Sequence, residues 1–146
     1  MPTDTSVMKN KINFILDVDG VFTDGAFYYD KTGKILKKFG PHDSDGIKII
    51  KKYFNTSLIS ADRRGFEISK RRAVDMGLKI KLVSEENRYK YFEKIGFKNC
   101  IFMGDGYFDA IILKKSYYGI CPTNALKECK LNADYITKSE GGNGAV

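Results

Sequence analysis

Residues 12–20 read Ile-Asn-Phe-Ile-Leu-Asp-Val-Asp-Gly, and this stretch decides the fold. An apolar run over 12–16 stops at Asp17-Val18-Asp19-Gly20. A short apolar run bounded by turn residues reads as a strand covered on both faces, the kind found in parallel sheets. The pattern recurs at 56–60 (TSLIS), 79–83 (KIKLV), 99–104 (NCIFMG) and 117–121 (YYGIC). Helix-like segments lie between the strands, at 45–54, 66–76, 85–95, 108–115 and 124–131. In the first of them Ile47, Ile50 and Phe54 fall on one helical face, and Gly77 stops the second. Strands alternating with helices of this length predict an α/β fold, a doubly wound (Rossmann-like) parallel sheet flanked by helices.

Outside that frame the chain is ordinary. Its 146 residues suit one domain over 11–146, preceded by a polar tail over 1–10 that is expected to be flexible. No stretch approaches the roughly 18 to 20 apolar residues of a membrane span. The opening MPTDTSVMKNK lacks the apolar segment of a secretion signal, so a cytoplasmic location and no membrane partner are expected. Cys100, Cys121 and Cys129 have neither the number nor the spacing of a disulfide framework or zinc site and read as buried thiols. The net charge of +7 comes from scattered lysines rather than a stripe, so no nucleic-acid partner is expected. With His42 the only histidine, a multi-histidine zinc site is excluded.

One segment breaks the rhythm. Residues 26–39 (AFYYDKTGKILKKF) contain two strand-like runs around Lys31-Thr32-Gly33, the signal of a β-hairpin inserted after the first strand. Phe27, Tyr28, Tyr29, Ile35 and Phe39 make it apolar. Such a hairpin either folds onto its own domain or packs against a neighbouring subunit.

In an open α/β sheet the reactive crevice lies beyond the carboxyl ends of the strands. There the first strand delivers Asp17 and Asp19, the second Ser60, and the fourth Gly104-Asp105. Asp17 and Asp19 are two apart, so an extended chain points them the same way. Carboxylates that close repel unless a cation sits between them or one is protonated. With Asp105 they form a set of hard oxygen ligands suited to Mg²⁺, which keeps open positions for water and phosphate. Such a set supports phosphoryl transfer through an aspartyl-phosphate. Asp17 is placed to attack, Asp19 to exchange protons with the leaving oxygen and with water, and Ser60 to donate to a phosphoryl oxygen. A cation from the next helix, Arg88 or Lys90, is placed to pair with the same group.

These residues resemble a known family. FILDVDGVFTDG (14–25), Ser60 after an apolar strand and MGDGYFDA (103–110) look like motifs of the haloacid dehalogenase superfamily of Mg²⁺-dependent phosphatases. The order DVDGVFTDG, hairpin, KFGPHDSDGIKII, RRAVDMGLKI and ADYITKSEGGNGAV is similar to one branch of it. That branch contains the 3-deoxy-D-manno-octulosonate 8-phosphate phosphatases of lipopolysaccharide sugar-acid biosynthesis and related enzymes of nine-carbon sugar acids.

The resemblance implies a fold with no large cap domain. It implies Asp17 as nucleophile, Asp19 as acid/base with its backbone carbonyl on Mg²⁺, Asp105 as the later metal ligand and Asp109 as a supporting acid. Ser60 and Ala61 match the phosphate-binding residues, and Arg88 the cation, with Lys90 close enough to compete for that role. Such enzymes resemble homotetramers whose hairpins pack together, a neighbouring subunit helping to close each site.

The chain also departs from the branch. Thr-Gly-Arg becomes Ser60-Ala61-Asp62, moving positive charge to Arg63 or Arg64. Gly-Asp-Asp becomes Gly104-Asp105-Gly106, the tail's Gly-Gly-Arg-Gly becomes Gly141-Gly142-Asn143-Gly144, and His42 stands where arginine is common. Arg63, Arg64, His42 and Asn143 are thus the candidate substrate contacts. The expected substrate is a small phosphorylated sugar or sugar acid. The altered residues motivate an alternative, a catalytically weak domain that assembles with or regulates a sugar-nucleotide synthetase. A phospho-accepting receiver module shares the fold class, but receivers carry their acceptor after a middle strand, whereas here the paired aspartates follow the first.

Overall fold

The run over 12–16 forms β1 (Asn13–Asp17), the centre of a six-stranded sheet in this computed structural model, which describes residues 11–146. The tail expected over 1–10 lies outside the described residues. The remaining strands of the sheet are β4 (Asn55–Ser60), β5 (Lys79–Leu82), β6 (Cys100–Met103), β7 (Tyr118–Cys121) and β8 (Tyr135–Ile136). They stand in the order β5-β4-β1-β6-β7-β8, and every neighbouring pair is parallel. The order runs outward in both directions from β1, which is the doubly wound arrangement with its switch point beside β1.

Alternation along β1 divides the core. Phe14 and Leu16 face one side with Leu58, Ile101 and Met103, beneath Ile47 of α1 (Pro41–Ile50) and Ala73 of α2 (Phe66–Asp75). Ile15 faces the other with Ile59 and Phe102. That side is covered by Phe92 of α3 (Glu85–Ile95), Ile112 and Leu113 of α4 (Ala110–Lys115) and Cys129 of α5 (Lys127–Asn132). Burying a large aliphatic or aromatic side chain here contributes about 1.5–3 kcal/mol. All three cysteines are buried, free thiols.

Several boundaries differ from the sequence reading, each for a local reason. The first helix begins at Pro41 rather than 45 and ends at Ile50, because Gly40-Pro41 starts it and residues 51–53 form a turn. Phe54 still packs on the same core as Ile47 and Ile50. The segment 108–115 opens as a 3₁₀ turn, Tyr107–Asp109, before α4. The last helix starts at Lys127, behind a turn in which Ala125 N–H bonds the Pro122 carbonyl. β8 was not anticipated: it has only two residues, and pairing with Ile120 and Cys121 makes it a strand. β5 is an edge, its exposed Lys79 and Lys81 discouraging pairing with another sheet.

The hairpin is present as β2 (Tyr28–Asp30) and β3 (Gly33–Leu36), paired only with each other. Tyr28, Tyr29, Ile35 and Leu36 are exposed. Phe39, just beyond, is covered by its own chain and packs on the core.

Candidate active site

Asp17 ends β1 on the Ile15 side of the sheet, and that parity aims it at α3. Val18 N–H donates to its Oδ1 at 2.9 Å. Arg88 Nη1 donates to Oδ2 at 3.0 Å and Nη2 to Oδ1 at 3.4 Å. Arg88 sits one turn into α3, a helix capped by Ser84, whose Oγ accepts from Asn87 N–H at 3.3 Å. The guanidinium also donates to Asp109 Oδ1 at 2.5 Å. Asp109 is in turn fixed by the N–H groups of Asp105 and Gly106, which donate to its Oδ2 at 3.1 and 2.9 Å.

Carboxylate oxygens of Asp17, Asp105 and Asp109 lie within 4.8 Å of one another, the one such cluster among the described residues. Gly20 permits the approach. Its φ of +86° turns the chain back after β1, and a Cβ there would overlap the Asp105 carboxylate.

The cluster is electrostatically frustrated. Burial pushes Asp17 up to about 8; Arg88 opposes this, and Asp109 and Asp105 add to it. Burial, then Asp109 and Asp19, push Asp105 up to about 7. Burial disfavours the Arg88 charge, but Asp17 and Asp109 outweigh it and hold the guanidinium protonated. One arginine does not neutralise three carboxylates. A divalent cation would relieve the repulsion, and the all-oxygen donor set fits Mg²⁺.

Asp19 goes elsewhere. The strand ends at Asp17, so the two side chains diverge instead of pointing the same way. Lys37 Nζ lies 2.8 Å from Asp19 Oδ1 and donates to Oδ2 at 3.1 Å, while Ser60 Oγ donates to Oδ2 at 3.4 Å. Lys37 also contacts Asp62 Oδ2 at 2.8 Å and Ser69 Oγ at 2.8 Å. Lys34 reaches the same Asp62 oxygen at 2.6 Å and lies 3.4 Å from the centre of the Phe27 ring. Despite partial burial, hydrogen bonds from Lys34 and Lys37 hold Asp62 down to about 2.

A cavity of about 560 Å³ opens over both groups, lined by Asp17, Asp19, Ala61, Arg88, Asp105 and Asp109. Phe27, Tyr107 and Phe108 add aromatic walls, and Asp62, Glu85 and Glu86 add acidic ones. Ser60 is fully buried behind Asp19, its Oγ also accepting from Asp62 N–H at 3.1 Å. Lys90 is exposed and does not line the cavity, since two residues along a helix turn it from Arg88 to another face.

Four expected contacts are not brought to the cavity. His42 is exposed, its nearest acid being Asp45 at 4.0 Å. Asn143 is exposed in a tail that packs on the loop after β1, where Gly142 N–H bonds the Val21 carbonyl. Arg63 and Arg64 are exposed because Asp62 Oδ1 accepts Gly65 N–H at 3.1 Å, a turn that faces Asp62 inward and the arginines outward. Positive charge does stand beside Asp62, from Lys34 and Lys37, but neither lysine lines the cavity. Sequence reasoning missed both lysines, which carry no local signal beyond lying in an apolar hairpin.

The comparisons with known proteins bear on the fold and the class of reaction. Residues 87–146 match a family model described as haloacid dehalogenase-like hydrolase. A 3-deoxy-D-manno-octulosonate 8-phosphate phosphatase of Salmonella typhi is 29% identical over 99% of this chain and 81% of its own length. The Moraxella catarrhalis phosphatase of that name, solved with magnesium, phosphate and KDO, superposes with a TM-score of 0.80 at 26% identity, covering 97% of this chain and 84% of its own. A cobalt-bound phosphatase from Haemophilus influenzae superposes with a TM-score of 0.77 at 26% identity, covering 95% and 84%. Motifs, sheet order and these relatives converge: the chain resembles the haloacid dehalogenase-type phosphatases, the 3-deoxy-D-manno-octulosonate 8-phosphate phosphatases among them, and is a phosphoric monoester hydrolase.

Proposed function

We propose that the chain hydrolyses the phosphate monoester of a 3-deoxy-2-keto sugar acid, octulosonate or nonulosonate in type, through an aspartyl-phosphate on Asp17. The observation that carries this reading is the convergence of Asp17, Asp105 and Asp109 with Arg88 in one cavity at the carboxyl ends of β1 and β6. Support for the substrate class comes from the relatives named above.

Asp17, Asp105 and the Asp19 carbonyl would hold Mg²⁺, braced by Asp109. The ion would screen the repulsion between carboxylate and phosphate and orient the phosphoryl oxygens. An Asp17 oxygen attacks phosphorus in line and the P–O bond to the sugar breaks. Asp19 gives its proton to the departing sugar oxygen. Asp19 then takes a proton from water as that water attacks the aspartyl-phosphate, releasing inorganic phosphate and restoring Asp17. Arg88, whose Nε has no partner among the described residues, and Ala61 hold the phosphoryl oxygens, while Ser60 braces Asp19 from behind instead of meeting the phosphate as expected.

The exposed apolar hairpin supports a homotetramer in which neighbouring hairpins help close each cavity. A cytoplasmic location follows from the proposed substrate; no helix among the described residues is long and apolar enough to cross a membrane.

A phosphate-release screen over octulosonate, nonulosonate, hexose and heptose phosphates with Mg²⁺ tests this reading. Preference for the sugar acids is expected, abolished by Asp17→Asn in a folded protein. Turnover of none of these esters would favour the weak, synthetase-associated domain instead.

A further inference from the structure

We infer that Lys37 is a positioning residue for the acid/base Asp19, tying the hairpin to the protonation step. This rests on the reading of Asp19 above. The lysine stem leaves the end of β3, its side chain is fully buried, and its Nζ touches three partners: Asp19, Asp62 and Ser69. It does not line the cavity, so it meets Asp19 from behind while Asp19 itself faces the substrate space. Phe27 covers the arrangement, its ring centre 5.7 Å from Lys37 Nζ.

A buried ammonium needs paired partners, and this one has anionic oxygen on two sides. Asp62 and Ser69 fix Nζ, and Nζ then fixes the Asp19 carboxylate in one orientation. Ser60 Oγ, at 3.4 Å, is the other side chain bonded to Asp19, and a single long hydrogen bond leaves that carboxylate free to rotate. Asp62 thus serves as an anchor for the lysine. A general acid works only within hydrogen-bond reach of the oxygen it protonates, so its orientation enters the rate directly.

The test separates proton delivery from everything else. An alkyl phosphate needs its leaving oxygen protonated, whereas p-nitrophenolate departs without a proton. With Mg²⁺ saturating, first-turnover release of the alcohol should fall on the order of 10²-fold in Lys37→Met for an alkyl phosphate. Release of p-nitrophenol from p-nitrophenyl phosphate should fall less than about 5-fold, and Lys37→Arg should recover part of the alkyl activity. Equal losses on both esters, or no loss on either, overturn the assignment. A crystal structure of Lys37→Met gives a readout independent of turnover. The Asp19 carboxylate is expected to leave its place beside Ser60, and an unmoved carboxylate overturns the inference. If the wild type releases alcohol from neither ester, the phosphatase reading of Asp17 and Asp19 fails, which the crystal structure distinguishes from failure of the lysine's role.

Discussion

Arg88 donates to Asp17 across 71 residues of sequence, Nη1 standing 3.0 Å from Oδ2 with both side chains buried. Asp109 shares the same Nη1. Removing one partner of a buried ion pair typically costs about 3–5 kcal/mol, because the other charge stays buried without compensation.

Arg88→Met is therefore expected to lower unfolding free energy in urea by about 3 kcal/mol in metal-free protein, and to lose less when Mg²⁺ is present. A variant as stable as the wild type under both conditions would show that Arg88 does not balance the cluster.

The raised values of Asp17 and Asp105, about 8 and about 7, set a pH dependence. Between about pH 4 and about pH 8 the folded, metal-free protein keeps protons that the unfolded chain has released. Its stability should fall as pH rises through that window. Mg²⁺ competes with those protons, so the rise in melting temperature on adding it should be larger at pH 8 than at pH 5. Melting curves in EDTA and in Mg²⁺ at both values check this; a larger shift at pH 5 contradicts it.

Gly20→Ala places a methyl group against the Asp105 carboxylate at a φ of +86°. The left-handed backbone alone costs about 1–2 kcal/mol. Displacing Asp105 should weaken Mg²⁺ binding on the order of 10-fold or more by calorimetric titration. Unchanged affinity would mean that Asp105 does not hold the ion.

Tyr28 and Tyr29 are each more than half exposed on a hairpin that pairs only with itself. Replacing both by serine should convert a tetramer into smaller species by sedimentation velocity at micromolar concentration, while leaving the melting temperature of the domain nearly unchanged. A wild-type monomer would sink the assembly.

Much of this was legible in the sequence, for reasons that vary by residue. β1 and α3 were readable because their signals are local: an apolar run stopped by Asp17, and a helix that begins after the capping residue Ser84. The expected span 85–95 coincides with α3. The start of α1 carried a readable sign, proline following glycine at 40–41, which the placement at 45 overlooked. β8 was not readable, since its two residues become a strand only beside β7. At the site, the carboxylates were visible as residues at strand ends, but the divergence of Asp19 from Asp17 was not. The strand ends at Asp17, and Asp19 is met instead by Lys37, 18 residues away, which also contacts Asp62. Periodicity cannot report a contact made by tertiary folding.

The cluster draws on β1, the start of α3 and the turn after β6, so no fragment shorter than residues 17–109 contains it. During synthesis Asp17 emerges 71 residues before Arg88 and 92 before Asp109, so the cluster is assembled only once both have docked. If Asp17 is the nucleophile proposed above, hydrolytic competence arrives only with closure of the sheet.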